Sequence, residues 1–210
     1  MIDLEHLAQA QQALVEAGRI LHAAGKVPAT GGNFSIRLDE RHMAVTVSGR
    51  HKGFLTPADL MVTDFDAVAV GSRLKPSAEA LLHGQLYRDH ANAGAILHTH
   101  SRAATLLSLA IEDDEVVLEG YELLKALEGV ETHEARVRIP VFANTQQIPL
   151  LVDQARARLG REPYAGTPAY LIRGHGVYVW ATDMASCLRQ VEALDFLFDC
   201  ELERKRWSFR

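Results

Sequence analysis

Gly94-Ala95-Ile96-Leu97-His98-Thr99-His100-Ser101 is the stretch on which the reading of this chain turns. Ala95-Ile96-Leu97 has the look of a short buried strand, and in a strand residues i and i+2 share one side. His98 and His100 therefore leave the strand end together, placed to share one cation through ring nitrogens at about 2.0–2.1 Å. Two ligands make half a site, and a histidine pair at a strand end is as readily a surface feature. The odds rise with Arg173-Gly174-His175-Gly176, which follows a second apolar run, Ala169 to Ile172, and precedes a third, Val177 to Trp180. The glycines around His175 allow close backbone approach, although one histidine in such a turn is ordinarily a turn residue. Three strand-end histidines together are the donor set of a catalytic zinc site that keeps one position open.

Working outward, Leu4, Leu7, Leu14, Gly18 and Leu21 recur at helical spacing behind Asp3, and Gly25 with Pro28 supplies the stop, so a helix is expected over 3–24. A hairpin is expected from 34–38 and 43–47, a helical turn at 56–59, and short strands at 60–63 and 67–70. Ser77 reads as the N-cap of a helix carrying Glu79, Leu82, His83 and Tyr87. Helices are expected at 102–110, 121–127 and 145–159, with a closing helix from Asp183 that carries Leu188, Val191, Leu194, Leu197 and Phe198, and a further strand at 137–142. Strands lying both in hairpins and between helices point to a mixed or antiparallel sheet with helices on its faces. Nothing in the sequence suggests a linker, so one domain over 1–210 is expected.

Composition narrows the function. The 210 residues are 48% hydrophobic and 23% charged, enough to build a core that needs no metal merely to fold. With 22 Lys plus Arg against 27 Asp plus Glu, the net charge of −5 has the wrong sign for nucleic-acid binding. No apolar run approaches the about 20 residues that span a bilayer, and Met1-Ile2-Asp3-Leu4-Glu5 lacks the basic start of a signal peptide, so a cytoplasmic, membrane-free protein is expected. Cys187 and Cys200 form no CxxC pair and read as buried thiols. The 10 histidines are a surplus. Of these, His6, His22, His42, His83, His90 and His133 read as spectators, and His51 stays open beside Lys52.

Two carboxylates could move protons near a metal: Glu79, otherwise a first-turn helix glutamate, and Glu122 in Tyr121-Glu122-Leu123-Leu124-Lys125, otherwise a solvated one. Thr30 to Ser35, Ser48 to Gly53 and Lys75-Pro76-Ser77 are three turns rich in backbone and side-chain donors. Together they could cradle a phosphate with Lys52 as the charge, though each alone is more simply a turn. No Walker A loop and no GxGxxG after a strand is present, which leaves nucleotide cofactors without support.

The ordered set Gly32-Asn33-Phe34-Ser35, Ser48-Gly49, Pro76-Ser77-Ala78-Glu79, His98-Thr99-His100 and His175-Gly176 resembles the class II aldolase and adducin family over most of the chain. The resemblance implies a three-layer α/β/α sandwich around a mostly antiparallel or mixed sheet, assembled as a homotetramer with the site near a subunit boundary. It implies one zinc ion per subunit, held by His98, His100 and His175, and a small phosphorylated ketose as substrate. Asn33, Ser48, Gly49, Lys52 and Ser77 are the expected phosphate contacts. The runs around the histidines are most similar to those of the family's dehydratases. An aldolase, a 4-epimerase or a non-catalytic adducin-like scaffold are the alternatives, and the three retained histidines argue against the scaffold. In the family's aldolases the proton-moving glutamate corresponds to Glu79, and in its dehydratases to Glu122, so both are carried forward. Ala78 stands where the aldolases have a second serine.

Overall fold

The structure is a computed structural model and describes residues 2–208. Helix α1 (Leu4–Ala23) opens where Asp3 caps it, the carboxylate accepting from the backbone N–H of Glu5 and His6, and it buries Ala10, Leu14, Ala17, Gly18 and Leu21 on one stripe. A hairpin follows, β1 (Asn33–Arg37) and β2 (His42–Thr46), its turn held by Asp39 accepting from the N–H of Arg41 and His42. Then come β3 (Leu60–Asp64), α2 (Ala80–Asp89), β4 (Ala95–Thr99), α3 (Arg102–Ala110), β5 (Glu115–Leu118), β6 (Val137–Phe142), α4 (Ile148–Leu159), β7 (Ala169–Ile172), β8 (Gly176–Ala181) and α5 (Met184–Ser208).

All eight strands form one sheet in the order β3-β2-β1-β4-β8-β7-β6-β5. Among the described residues only β6 and β7 pair in parallel. The alternation of side chains sorts the core into two layers. Phe34, Leu97, Leu171, Val177 and Val179 face α1, α3 and α5, while Met43, Val45, Ile96, Tyr170, Tyr178 and Trp180 face α2 and α4. This is the expected α/β sandwich with a mixed sheet. Leu14 and Leu97 are wholly buried in the first layer, where a Leu→Ala change costs about 2–5 kcal/mol.

Three expectations need correction. Residues 67–70 are no strand: Asp64 accepts from the N–H of Asp66 and Val68, bending the chain into a turn, and only Ala69 bridges back to Thr63. Ser77 is not an N-cap, because α2 starts at Ala80 with Glu79 in the cap position, and so Glu79 stands outside the helix rather than in its first turn. Helix α4 begins at Ile148 rather than Thr145, leaving Thr145 and Gln146 in an open loop. Strand β5 was not anticipated, although Val116-Val117-Leu118 carried a strand signal too short to separate from a loop.

Register positions the site. Asn33 of β1 and Tyr178 of β8 both pair with His98 of β4, so these three residues lie side by side at one end of the sheet. His175 directly precedes β8, in the turn from β7. The strands can come this close because Gly176 has no side chain: a Cβ there would lie 2.1 Å from the carbonyl oxygen of Thr99. Gly32, at φ +77, makes a similar approach, where a Cβ would be 2.5 Å from the carbonyl oxygen of His98.

Candidate active site

His98, His100 and His175 converge so that one ring nitrogen of each lies within 4.8 Å of the others. The Nε2 of His98 is 2.9 Å from that of His100 and 3.4 Å from that of His175. On its far side the His98 ring donates from Nδ1 to the carbonyl of Val177 at 3.0 Å, which leaves the Nε2 lone pair facing the other two. Tyr178 stacks on the same ring, with centroids 4.1 Å apart and planes 14° from parallel. His98 is entirely buried, and burial pushes its pKa well below the usual imidazole range, with the neighbouring His100 and His175 lowering it further. His100 is pushed down to about 4 by burial, then by His175 and Lys52. Neutral imidazoles with lone pairs meeting at one point repel one another until a cation lies between them. The group therefore fits a metal ion, and three nitrogen donors suit a borderline divalent one.

Glu79 stands beside this group. One carboxylate oxygen is 3.5 Å from His98 Nε2 and the other 3.6 Å from His175 Nε2. It accepts no bond from the helix it precedes; its short contact is with Asn33, whose amide donates to it at 2.6 Å. Glu122 lies elsewhere. Its carboxylate is 72% exposed, pairs with Lys125 and approaches His133, and the Lys125 ammonium holds its pKa below the usual carboxylate range.

His100 and His175 open onto a cleft of about 460 Å³, a volume suited to a small metabolite, with His98 buried behind them. Asn33, Ser48, Gly49, Lys52, Ser77 and Glu79 all line it, so the three turns singled out from sequence do meet around one space. Lys52 is only 2% exposed. Its ammonium donates to the carbonyl oxygens of Thr30 and Arg50, each at 2.7 Å, which leaves one of three donors uncommitted. Burial lowers its pKa to about 8, against the pull of Glu79 in the other direction. His51 takes no part in the cleft: its ring accepts from the N–H of Gly53 and packs against His22 and Phe54. A larger cleft, of about 920 Å³, lies between α1, α3 and α5 and holds none of the three histidines.

Sequence reasoning missed the loop carrying Thr145 and Gln146, which with Ile148 at the start of α4 closes one side of the cleft. It also missed the role of Tyr178 beneath His98, since strand alternation marks a residue as buried without saying what it will touch.

Residues 12–202 match the Class II Aldolase and Adducin N-terminal domain. The solved fold agrees: L-fuculose 1-phosphate aldolase superposes with a TM-score of 0.77 at 24% identity, over 95% of this chain and 87% of that one. The Thermus thermophilus enzyme of that name gives 0.76 at 23% identity, over 97% and 99%. The chain belongs to the class II aldolase and adducin family.

Within it, a particular name recurs among the curated relatives. The methylthioribulose-1-phosphate dehydratase of Marinobacter nauticus is 51% identical over 98% of this chain and 99% of its own length. That of Pseudomonas aeruginosa is 49% identical over 93% and 94%.

Proposed function

We propose that this chain is a methylthioribulose-1-phosphate dehydratase, a lyase of L-methionine salvage that removes water from 5-methylthioribulose 1-phosphate to give 2,3-diketo-5-methylthiopentyl 1-phosphate. The observation that carries the reading is the shared space: two members of a three-histidine group, a carboxylate beside that group and a buried lysine line one cleft. Near-complete coverage of dehydratases at about half identity supports the same substrate. His98, His100 and His175 would hold one zinc ion, which supplies Lewis acidity at the C2 ketone and so acidifies the C3 hydrogen.

The chain's own residues do the rest. Lys52, with Asn33, Ser48, Gly49 and Ser77, receives the phosphate at C1. Glu79 removes the C3 proton, and the electron pair of that bond forms a C3=C4 double bond as the C4 hydroxyl leaves with a proton as water. The enol then ketonises to the diketone. Glu79 fits the base role within one chain. Glu122, exposed and paired with Lys125, would serve only in the cleft of another copy across a boundary of the proposed homotetramer. The protein acts in the cytoplasm; no helix among the described residues is long and apolar enough to cross a membrane.

Purified protein is incubated with 5-methylthioribulose 1-phosphate, and the diketone is followed by absorbance. Dihydroxyacetone phosphate and an aldehyde as products would replace this reading with an aldolase. Glu79→Gln and Glu122→Gln are then assayed alone and, for the second, mixed with inactive His98→Ala subunits. Recovery of turnover in the mixture assigns Glu122 to a neighbour's cleft.

A further inference from the structure

His83 lies on α2, fully buried and away from the cleft, yet its ring is engaged at both nitrogens. Nδ1 is 2.7 Å from the hydroxyl of Ser35, and Nε2 is 2.5 Å from the side-chain oxygen of Asn33. The contacts continue in both directions. Asn33 reaches Glu79 at 2.6 Å, and Ser35 meets the hydroxyl of Tyr87 at 2.9 Å. The edge of Tyr178 completes the enclosure, its ring centroid 5.6 Å from that of His83.

The donor directions follow from the Glu79 end. A carboxylate only accepts, so Asn33 must turn its NH2 toward Glu79 and its oxygen toward His83. That oxygen also accepts, so His83 carries its proton on Nε2. Nδ1 is then a bare lone pair that takes the Ser35 hydroxyl proton, and the Ser35 oxygen accepts from Tyr87. Burial pushes the His83 pKa down to about 3, so the ring stays neutral and one nitrogen must remain unprotonated. Every donor in the series Tyr87, Ser35, His83 and Asn33 points toward Glu79.

We propose that His83 is a positioning residue for Glu79: its Nε2–H locks the Asn33 amide in the one orientation that offers an N–H to the carboxylate, and so holds Glu79 against the three histidines. Without that N–H the amide is free to turn over and set its oxygen against the carboxylate, which repels it. Glu79 has no bond to its own helix to keep it in place; the Asn33 amide holds it at 2.6 Å, beside the Tyr178 hydroxyl that borders both residues.

The inference rests on Glu79 acting as the proton-moving group, and the test separates the two. His83→Leu removes the N–H, while His83→Gln keeps an amide N–H in reach of Asn33. Since small misplacements of a reacting group cost up to about 100-fold, His83→Leu is expected to lower kcat about 10–100-fold with KM within about two-fold and bound zinc unchanged. His83→Gln is expected to recover kcat to within about three-fold of the wild type. An undiminished kcat in the Leu variant, or Gln no better than Leu, overturns the proposal. Should the Leu variant not fold, Ser35→Ala reads the same series, because it frees the ring to take the other tautomer. A several-fold fall in kcat at constant KM supports the role, and an unchanged kcat overturns it. Nitrogen-15 spectra of the ring need no turnover: the Nε2–H tautomer is expected, and the Nδ1–H tautomer overturns the proposal. A wild type with the expected tautomer that leaves the substrate intact counts against the activity and for the hydrogen-bond series.

Discussion

Raising the pH from 7 to 9 is expected to weaken the hold on a phosphorylated substrate about ten-fold, through Lys52. Two of its three N–H donors are committed to the carbonyls of Thr30 and Arg50, and the third is left for the cleft. Its pKa of about 8 makes it roughly nine-tenths ammonium at pH 7 and one-tenth at pH 9. The substrate phosphate, with a second pKa near about 6, stays a dianion across that range. If the ammonium form alone engages it, KM scales as one plus the ratio of neutral to charged lysine, which gives the ten-fold rise. Lys52→Met keeps the length and removes the charge. A charge-assisted hydrogen bond is worth about 1.5–3 kcal/mol, so its KM should stand about 10–150-fold above wild type and no longer vary over this range. Initial rates of diketone formation between about pH 6.5 and 9.5 measure both. A flat wild-type KM, or the same rise in Lys52→Met, refutes the reasoning. Stability has its own sign. The unfolded chain keeps this proton up to the ordinary value of 10.5 while the folded one releases it near 8, so the unfolded state binds more protons between the two. The burden of burying the cation is full below about pH 8 and eases as pH rises toward 10.5, an increase in urea midpoint that Lys52→Met should lack.

His98→Ala should abolish zinc uptake and turnover while the chain still unfolds cooperatively, because the two core layers are built without the ion; metal analysis and a circular-dichroism melt check each half. Gly176→Ala drives a Cβ to 2.1 Å from the carbonyl of Thr99, so strands β4 and β8 must part. The loss should be about 1–3 kcal/mol in a urea melt, with weakened metal binding, whereas Gly160→Ala, whose nearest neighbour is 3.4 Å away, should be silent. Acid should destabilise the fold through His83, whose folded pKa near 3 lies below the ordinary 6.5, so that the unfolded chain takes up the proton first. About 2–3 kcal/mol present at about pH 7.5 should be gone by about pH 4.5, and His83→Gln should recover part of it in urea melts at those two pH values.

Much of this was legible in the sequence because the decisive residues sit where local rules are strong. Strand alternation placed His98 and His100 on one side, and the glycines around His175 marked a tight turn, so the metal group could be drawn from residues far apart in the chain. Helix α1 was readable from Asp3 to Gly25 because cap, stripe and stop all agreed. The failures have a common cause. Val68 looks like a strand residue, but the Asp64 carboxylate captures its N–H and that of Asp66 first. Glu79 looks like a helix glutamate, but a partner on β1, more than forty residues earlier, draws it out of that role. His83 was set aside for the same reason: nothing near it in sequence reveals Asn33 and Ser35. Local patterning states which face a residue takes, and long-range register states what it meets there.

The place of β8 in the sheet bears on how the chain is made. The last of the described strands in chain order is inserted between β4 and β7, joining β3-β2-β1-β4 on one side to β7-β6-β5 on the other. Until it emerges, β4 offers an unpaired edge that carries His98, with His100 just past its end, a surface open to pairing with the wrong strand. A nascent or truncated chain that ends before Gly174 has neither the closing strand nor the third ligand. If the three histidines hold a metal as proposed, full metal affinity reports that β8 has closed the sheet, and a ribosome-bound chain would acquire it only after β8 has emerged.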